Sequence, residues 1–582
     1  MQKHDSDIID EIILAVTKDE NIGNKRDFQK LCNEIYSVHK TVKPIPNIAF
    51  IERYHEMVSD ARITPSTRVE KIFRKRGIRN QSGIAVISLL TKFWGCPGKC
   101  IYCPTFVGLP RSYIPDEPAV MRAEMNEFDP VKQVQNRLRG LRITGHHIDK
   151  CDVRIIGGTW SVYPELYQEM FIKAIYDAHT TYAELEPFIE GTSTGTDKFA
   201  EFKIKKGFEM RESKTLEEAK ERNMKARSRV VGIQIETRPD WITVDEIKRL
   251  RSYDVTRVEI GYQTTIDEIN NLNKRGHGNA ESIHATRMLK DAGFKVCAHM
   301  MPNLLGSTPD LDRKALKEIF NNPDYRPDEL KIYPMMVTDK SELTQIWKKG
   351  GFQAYDDETL ITLMADLLEM VPPYIRLNRV YRDIPAHQIL HGSHLANLRQ
   401  IAEELLRNRR GKVIDTASRE VKGKVFDIDN LRLIVRDYEA SKGHDYLITF
   451  EEKGESKKHQ KGFSVSPEDA PDDATLYSLL RLRITSQYYS GESHFLPVLD
   501  GAAIIREIHT FGEQVGIGDE DESAIQHRGF GKKMVTEAER IVREKYPDIK
   551  KIAVIAGVGV RPYFEKLGYI LEEGYMIKRL HN

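Results

Sequence analysis

Residues 84–104 read IAVISLLTKFWGCPGKCIYCP, an apolar run that leads directly into three closely spaced cysteines. The run 84–90 has the length and the β-branched content of a buried strand. Cys96, Cys100 and Cys103 follow it with C-x3-C-x2-C spacing. Three thiolates on so short a loop can ligate three irons of a [4Fe–4S] cluster, which normally has four protein ligands. The missing fourth ligand predicts one iron that is open to a small molecule.

A zinc site and a chance grouping of cysteines are the alternatives to an iron–sulfur cluster. Zinc would need a fourth ligand nearby. Outside the triplet, neither His nor Cys occurs between residues 56 and 143. The spacing therefore favours the cluster.

Downstream of the cysteines, short β-rich runs alternate with helical patterns. Candidate strands are 84–90, 153–156, 230–235, 257–260, 295–300 and 330–333, with 375–380 as a further candidate. Helical spacing covers 164–178, 244–252, 279–291 and 312–320. Six strand–helix alternations predict an α/β fold with a parallel sheet, arranged as a TIM-like (βα)6 barrel or partial barrel. The active sites of such barrels lie at the carboxyl ends of the strands.

The same patterns divide the chain into four segments. Residues 1–80 are polar and mostly helical, and residues 81–390 contain the barrel pattern. A basic linker follows at 391–440, and 441–582 has the pattern of a second α/β domain. Charged residues at 190–228 interrupt the barrel rhythm and predict an insertion.

Composition excludes several classes of protein. The chain has 582 residues, of which 40% are hydrophobic and 30% charged, as is typical of a folded globular protein. We find no apolar run long enough for a bilayer and no secretory signal, so we expect no membrane contact. Six cysteines are too few for a disulfide scaffold, which favours a cytoplasmic location. A net charge of +1 excludes a globally basic nucleic-acid binder but not a locally basic one.

A glycine-bearing turn precedes an amphipathic helix near the C-terminus. Its residues are Gln526, His527, Arg528, Gly529, Phe530, Gly531 and Lys532, which form Q-x-x-G-x-G followed by lysine. A helix N-terminus offers unpaired N–H groups, and its dipole favours anions. The turn therefore predicts a pyrophosphate-binding site.

The cysteine spacing, with Tyr102 just before the last cysteine, resembles that of the radical S-adenosylmethionine enzymes. In that family the open iron binds the amino and carboxylate groups of S-adenosylmethionine, and reductive cleavage yields a 5′-deoxyadenosyl radical. The resemblance implies cofactor contacts from Tyr102 and from Gly157 and Gly158 after the second strand. Thr159 stands where many members have Glu.

Four polar residues at strand ends are further candidates by position alone. Glu236, Arg238 and Gln263 are candidate ligands of the cofactor or the substrate. Lys331 on the sixth strand is the candidate catalytic residue of the barrel.

The turn at 526–532 and the stretch RPYFEKLGY at 561–569 together resemble the Gcn5-related N-acetyltransferases, whose Q-x-x-G-x-G loop binds the pyrophosphate of coenzyme A. In that family the Tyr before Glu-Lys-Leu-Gly often protonates the departing thiolate. Here Phe564 occupies that position, and a phenyl ring cannot donate a proton. Either Tyr563, one residue earlier, takes the catalytic role or the thiolate leaves without this help.

Six motifs in one order resemble the family of the Elongator catalytic subunit, over residues 65 to 580. They are CPGKCIYCP at 96–104, IETRPD at 235–240, KRGH at 274–277, LKIYP at 330–334, RDIP at 382–385 and QHRG at 526–529. The resemblance implies that acetyl-CoA binds the C-terminal domain and that its acetyl group reaches C5 of uridine 34 in the tRNA anticodon stem-loop. It also implies a one-electron reductant and 5-carboxymethyluridine as the product.

A basic stretch near the end of the N-terminal segment is a candidate tRNA contact. It comprises Arg68, Lys71, Arg74, Lys75, Arg76 and Arg79, opposed only by Glu70. Such a stretch can contact phosphates, and a solvated helix face is the alternative.

Members of the Elongator catalytic family usually carry a zinc-binding C-x-C-x2-C motif between the two domains. Val413, Asp415 and Ser418 occupy those positions here. We therefore expect no zinc in the linker, which leaves the rigidity of the connection open.

Two other functions stay open at this point. The first is a protein lysine acetyltransferase with a structural or regulatory iron–sulfur domain, which acetylated protein in the absence of tRNA would favour. The second is a non-catalytic tRNA-binding scaffold, which formation of 5′-deoxyadenosine would exclude.

Overall fold

The computed structural model describes residues 3–39, 44–73, 82–185, 189–190, 203–204, 211–422, 430–452, 464–465, 473–512 and 529–580. Its first part is a bundle of four helices: α1 (Lys3–Lys18), α2 (Lys25–Val38), α3 (Asn47–Ser59) and α4 (Thr67–Phe73). Their apolar faces surround a core of their own, in which the rings of Phe28, Phe50 and Phe73 contact one another. The helical N-terminal segment predicted from the sequence is confirmed.

A sheet of seven parallel strands forms the centre of the chain. Its strands, in spatial order, are β1 (Ala85–Leu90), β2 (Lys150–Ile156), β3 (Arg229–Thr237), β4 (Arg257–Gln263), β5 (Lys295–Met300), β6 (Glu329–Ile332) and β7 (Arg376–Arg379). Each strand pairs with the next in parallel, so β1 and β7 are the two edges of an open barrel. The predicted partial barrel is confirmed, and the candidate at 375–380 supplies a seventh strand beyond the six alternations.

Twelve α-helices lie between residues 118 and 419 of the described chain, and most of them pack on the outer face of this sheet. They are α5 (Pro118–Met125), α6 (Pro130–Arg142), α7 (Glu165–Leu185), α8 (Leu216–Lys225), α9 (Val244–Ser252), α10 (Asp267–Leu272), α11 (Asn279–Asp291), α12 (Pro309–Asn321), α13 (Glu342–Lys348), α14 (Asp357–Glu369), α15 (Leu398–Asn408) and α16 (Thr416–Arg419). Several begin at a side-chain cap, because Thr243, Thr308 and Asp356 each accept a backbone N–H of the first turn.

The insertion predicted at 190–228 lies mostly outside the described residues, which omit 191–202 and 205–210. Its described end is α8, whose Leu216 and Ala219 are buried in the barrel core. Two short strand pairs complete this half of the chain: Ile189–Glu190 with Lys203–Ile204, and Val337–Thr338 with Ile389–His391.

The C-terminal part contains a second, mainly antiparallel sheet. Its strands are β8 (Leu431–Ala440), β9 (Gly443–Glu452), β10 (Ser464–Val465), β11 (Leu476–Ile484), β12 (Ala502–Thr510), β13 (Lys551–Val554), β14 (Ile570–Glu572) and β15 (Tyr575–Arg579), in the spatial order β10-β8-β9-β11-β12-β13-β15-β14. Three helices accompany them: α17 (Ser486–Ser490), α18 (Phe530–Lys545) and α19 (Arg561–Glu565). The predicted second α/β domain is confirmed. Within the described ranges, no helix is long and apolar enough to cross a membrane.

Buried ion pairs join the C-terminal sheet to the amino ends of the barrel strands. Six side chains form this interdomain ion cluster, each with at most 1% of its side chain exposed: Lys290, Asp291, Asp328, Asp445, Arg483 and Arg506. Arg506 on β12 reaches Asp328 before β6 at 2.5 Å and Asp445 on β9 at 3.0 Å. Buried charges are stable only when they are paired, so separating the two sheets would expose a costly set of unpaired charges.

The linker is attached to both sheets by hydrogen bonds. The Asp415 carboxylate accepts the N–H groups of Ala417 and Ser418 and, at 2.9 Å, the N–H of Leu377 on β7. Arg419 reaches Glu451 on β9 at 3.0 Å. The sequence left the rigidity of this connection open, and these contacts hold residues 415–419 without a thiolate ligand. The expected lack of zinc stays a prediction.

Replacing Asp415 with Ala should lower the free energy of unfolding by about 3 kcal/mol, because it leaves the buried N–H of Leu377 and two partly buried N–H groups unpaired. Chelator-treated, cluster-free protein should contain far less than one zinc per chain, with or without the substitution. Asp339→Ala is the control, since a carboxylate that is half exposed should change stability by less than about 0.5 kcal/mol. One tightly held zinc per chain in the unsubstituted protein would contradict the prediction.

Candidate active site

A cavity of about 620 Å³ lies at the carboxyl ends of the barrel strands. Ten residues predicted from the sequence line it: Cys96, Cys100, Tyr102, Cys103, Gly157, Gly158, Glu236, Arg238, Gln263 and Lys331. They come from the loop after β1 and from the ends of β2, β3, β4 and β6. Parallel strands bring their carboxyl ends to one edge, which explains the convergence of residues so distant in sequence.

The cysteine loop presents its thiols to this cavity beside arginine side chains. Arg275 Nη1 lies 3.6 Å from the sulfur of Cys100. Burial opposes ionisation of Cys100, but Arg275, Tyr102 and Arg238 together outweigh burial and lower the pKa of this thiol. Burial raises the pKa of Cys103 to about 12, so iron binding would have to displace its proton.

Several residues that line the cavity carry buried polar atoms without a partner, which an occupant could bind. Within the described residues, these atoms include Nε of Arg111, Nη1 of Arg238, Nε of Arg275 and Oε1 of Gln263. Buried polar groups in proteins almost always have a partner. Three guanidinium groups also suit the negative charge of three thiolates. The residues therefore fit an iron–sulfur cluster together with a polar organic cofactor.

The glycine pair after β2 allows a close backbone approach. Gly157 has φ of 145°, and a Cβ there would lie 1.9 Å from Oγ1 of Thr91. The N–H groups of Gly157 and Gly158 both point at Oε2 of Glu236, each at 3.4 Å. Burial and the nearby Glu259 raise the pKa of Glu236. A carboxyl group thus lies at the glycine pair although Thr159 itself carries none.

Lys331 lies deeper in the barrel, paired with a carboxylate. Its Nζ is 2.5 Å from Oε2 of Glu259. Burial disfavours the ammonium, but Glu259, Tyr333 and Glu236 together outweigh burial and raise the pKa of Lys331. A lysine held in the protonated form donates hydrogen bonds and does not serve as a general base.

Several cavity residues were not identified from the sequence. They include Arg111, Tyr113, Glu259, Arg275 and His299. Two of them carried a sequence signal. Arg275 belongs to the KRGH motif at 274–277. Glu259 lies on β4 two residues before Gly261 and four before Gln263, on the same face of the strand. Arg111 and Arg275 lie on loops, where no sequence periodicity indicates which way a side chain points.

The described part of the predicted coenzyme A turn lies at the start of α18. Gly529 has φ of 76° and directly precedes this helix, and Lys532 is exposed in its first turn. Phe530 packs in the core against Phe450, so only its backbone can face a ligand. Gln526, His527 and Arg528 lie outside the described residues.

Tyr563 lies against this turn, whereas Phe564 does not. A Cβ on Gly531 would be 2.6 Å from the Tyr563 hydroxyl. Phe564 is 1% exposed and packs against Tyr569 in the domain core. Of these two residues, which the resemblance makes candidates for contact with coenzyme A, only Tyr563 has its side chain beside the turn.

The basic stretch is described only in part. Arg68 donates to backbone carbonyls of Val16 and Ile22, at 2.8 and 2.6 Å, and so supports the end of α1. Lys71 is exposed on α4. Arg74, Lys75, Arg76 and Arg79 lie outside the described residues. The predicted tRNA contact stays a prediction, and the Arg68 guanidinium is engaged within the protein.

Comparison with known proteins agrees with this geometry. Residues 92–318 match the Radical SAM superfamily, and residues 327–408 match the Radical SAM C-terminal domain. A tRNA uridine(34) acetyltransferase of Dehalococcoides mccartyi is 38% identical over 87% of this chain and 100% of its own. The protein of that name from Methanocaldococcus infernus is 34% identical over 98% of both chains. Human Elongator complex protein 3 is 33% identical over 87% of this chain and 86% of its own.

One solved structure is similar to this chain over most of its length. The archaeal Elp3 of Methanocaldococcus infernus with an N-terminal deletion superposes with a TM-score of 0.68 at 33% identity, covering 86% of this chain and 99% of that one. The resemblance found in the motifs is thereby confirmed over most of the chain. The chain belongs to the family of the tRNA uridine(34) acetyltransferases and Elongator complex protein 3.

Proposed function

We propose that this chain modifies C5 of the tRNA wobble uridine, using acetyl-CoA and S-adenosylmethionine radical chemistry. The observation that carries the proposal is the convergence of three cysteines and seven other predicted residues on one cavity. The names of relatives at 38% and 34% identity, tRNA uridine(34) acetyltransferase, support the choice of substrate. A tRNA substrate also supports a cytoplasmic location.

In this proposal Cys96, Cys100 and Cys103 hold a [4Fe–4S] cluster. S-adenosylmethionine at such a cluster, given one electron from a reductant, supplies a carbon radical that removes hydrogen from an unactivated C–H bond. Gly157 and Gly158 admit the cofactor to the backbone, and Glu236, Arg238 and Gln263 are its candidate side-chain ligands. Arg275 holds the Cys100 sulfur in place and balances its charge.

The C-terminal domain would bind acetyl-CoA through the N-terminus of α18. The pyrophosphate would meet the backbone N–H groups near Gly529 and Gly531, where the helix dipole favours an anion. Tyr563 would donate the proton that the departing thiolate needs. Lys71 and the arginines near it would contact phosphates of the anticodon stem-loop.

The alternative of a protein lysine acetyltransferase with a purely structural iron–sulfur domain is less well supported. A structural cluster needs ligands but no roomy cavity with unpartnered polar atoms beside it. Those atoms include Arg238 Nη1 and Gln263 Oε1.

The test combines two products in one reaction. Anaerobically reconstituted protein with S-adenosylmethionine, dithionite, acetyl-CoA and a tRNA transcript should form 5′-deoxyadenosine and a C5-substituted uridine, measured by nucleoside mass spectrometry. Omitting acetyl-CoA should remove the modified nucleoside. Acetylated protein in reactions without tRNA, with no modified uridine in reactions with it, would favour the alternative.

A further inference from the structure

The inner end of the cavity carries three polar side chains that bind one another. Gln234 on β3, Glu259 on β4 and Lys331 on β6 all line the cavity. Each lies before the carboxyl end of its strand, and therefore deeper in the barrel than Glu236 and Gln263. Gln234 is 1% exposed and Glu259 is 5% exposed. We call these three residues the inner polar set.

Glu259 fixes the direction of every hydrogen bond in the inner polar set. Its Oε2 accepts from Gln234 Nε2 at 2.8 Å and binds Lys331 Nζ at 2.5 Å. A carboxylate only accepts and an ammonium only donates. The amide nitrogen of Gln234 is therefore held at Glu259, and its oxygen is turned away. That oxygen is buried and has no partner among the described residues.

The inner polar set consequently combines an unpartnered acceptor, Gln234 Oε1, with an obligatory donor, Lys331 Nζ. His299 on β5 lies beside Lys331, as its register partner on the neighbouring strand. Its Nε2 is likewise buried without a partner among the described residues, and its ring lies edge-on to Tyr333 with centroids 4.7 Å apart. The wall therefore combines a ring contact with a fixed donor and a fixed acceptor, which suits a planar heterocycle.

We propose that the inner polar set reads the uracil ring of the target nucleotide: Gln234 Oε1 accepts N3–H, and Lys331 donates to O4. This inference rests on the proposed function and names the residues that choose the base. Enzymes that act on a base recognise it by hydrogen bonds to its Watson–Crick edge once it has left the stack. Uracil presents a donor at N3 beside an acceptor at O4.

Cytosine presents the opposite pattern at the same edge. Its N3 accepts and its exocyclic N4 donates. In the cavity, the N3 acceptor of cytosine would face the Gln234 oxygen, which is also an acceptor. Its N4–H donor would face the Lys331 ammonium, which is also a donor. Both contacts would be mismatched, and leaving buried polar groups unpaired is what makes such sites selective. Glu259 is the positioning residue, because it alone decides which end of the Gln234 amide faces the ligand.

Two substitutions test whether the inner polar set recognises the base, and they should change the base preference differently. Gln234→Met removes the acceptor, so modification of a stem-loop with uridine at position 34 should fall about 10- to 100-fold while cytosine stays rejected. Glu259→Gln lets the new amide accept from Lys331 and donate to Gln234 Oε1, which turns the Gln234 amide around. The Gln234 amide nitrogen would then donate to N3 of the base, and the ratio of the rate with uridine to the rate with cytosine should fall by about 100-fold.

A modified substrate tests the same point on the unsubstituted enzyme. A stem-loop with N3-methyluridine at position 34 lacks the N3–H donor and should be modified at least about 10-fold more slowly than uridine. Gln133→Met is the matched control variant. Its amide is also buried and bonds the backbone of Leu90, and the base preference should stay unchanged.

The outcomes separate this inference from the proposed function. Iron content and 5′-deoxyadenosine are measured on each protein, so a misfolded variant is recognised and the N3-methyluridine result decides instead. If the unsubstituted enzyme modifies no uridine, the proposed function fails. If it modifies uridine and N3-methyluridine equally, or if both folded variants keep the base ratio within about threefold, the reading of the base by the inner polar set is overturned.

Discussion

Cys100→Ala protein should retain little iron and form neither 5′-deoxyadenosine nor modified uridine. Only two thiolates would remain on the loop, and the sulfur bound by Arg275 would be gone. The unsubstituted protein, reconstituted without oxygen, should bind about four irons per chain and show thiolate-to-iron charge-transfer absorbance. Cys96→Ala and Cys103→Ala should behave in the same way. Iron analysis and the visible spectrum measure the effect directly.

The chain provides its own control for this experiment. Cys32, Cys151 and Cys297 are buried away from the cysteine loop, in the N-terminal bundle and on β2 and β5. Replacing all three together should leave the iron content unchanged. Acetyl-CoA binding should also survive in Cys100→Ala, since that site belongs to the other sheet. A full complement of iron in Cys100→Ala would refute the cluster assignment.

Tyr563→Phe should slow the tRNA-stimulated release of free coenzyme A by about 10²–10⁴, the usual range for a lost general acid. The Tyr563 hydroxyl lies against Gly531 in the first turn of α18, beside the turn that we propose binds acetyl-CoA. Burial raises the pKa of Tyr563, so the hydroxyl keeps its proton at neutral pH and stays available as a donor. Stopped assays with a thiol reagent measure the released coenzyme A.

The control for Tyr563 is a tyrosine of the same domain with a structural partner. Tyr569 donates to Glu539 at 3.0 Å, and Tyr569→Phe should leave coenzyme A release within about threefold of normal. Binding of acetyl-CoA should survive Tyr563→Phe, because one phenolic oxygen contributes little to holding a nucleotide. A loss smaller than about threefold would mean that neither aromatic donates the proton. A parallel loss of binding would make Tyr563 a packing residue.

The sequence predicted most of the barrel and ten of the residues that line its cavity, because both have local signatures. The apolar run before Cys96 is a strand, and the cysteine spacing is a ligand pattern that needs no knowledge of the rest of the chain. Glu236, Gln263 and Lys331 could be selected because each lies at or near the carboxyl end of a predicted strand. Parallel topology then brings such positions together.

The remaining site residues depend on distant contacts, which a single sequence does not reveal. Arg275 matters because it reaches Cys100, 175 positions away. Glu259 matters because it binds Gln234 and Lys331 on two other strands. The rigidity of the linker was left open for the same reason. The missing cysteines were visible, but the bond from Asp415 to the backbone of Leu377 required both sheets in place.

The interdomain ion cluster also constrains how this protein can change during evolution. Asp445 serves Lys290 from the barrel side and both Arg483 and Arg506 from its own sheet. Loss of any one partner strands a buried charge at a cost of about 3–5 kcal/mol, whereas replacing a whole ion-paired group with apolar residues can be nearly neutral. Substitution of one charged residue at a time is therefore strongly destabilising, whereas replacement of the whole group at once is tolerated. We therefore expect the charged positions of the two domains to change together among relatives. A hybrid that joins the barrel of one distant relative to the acetyltransferase domain of another should be unstable at this junction.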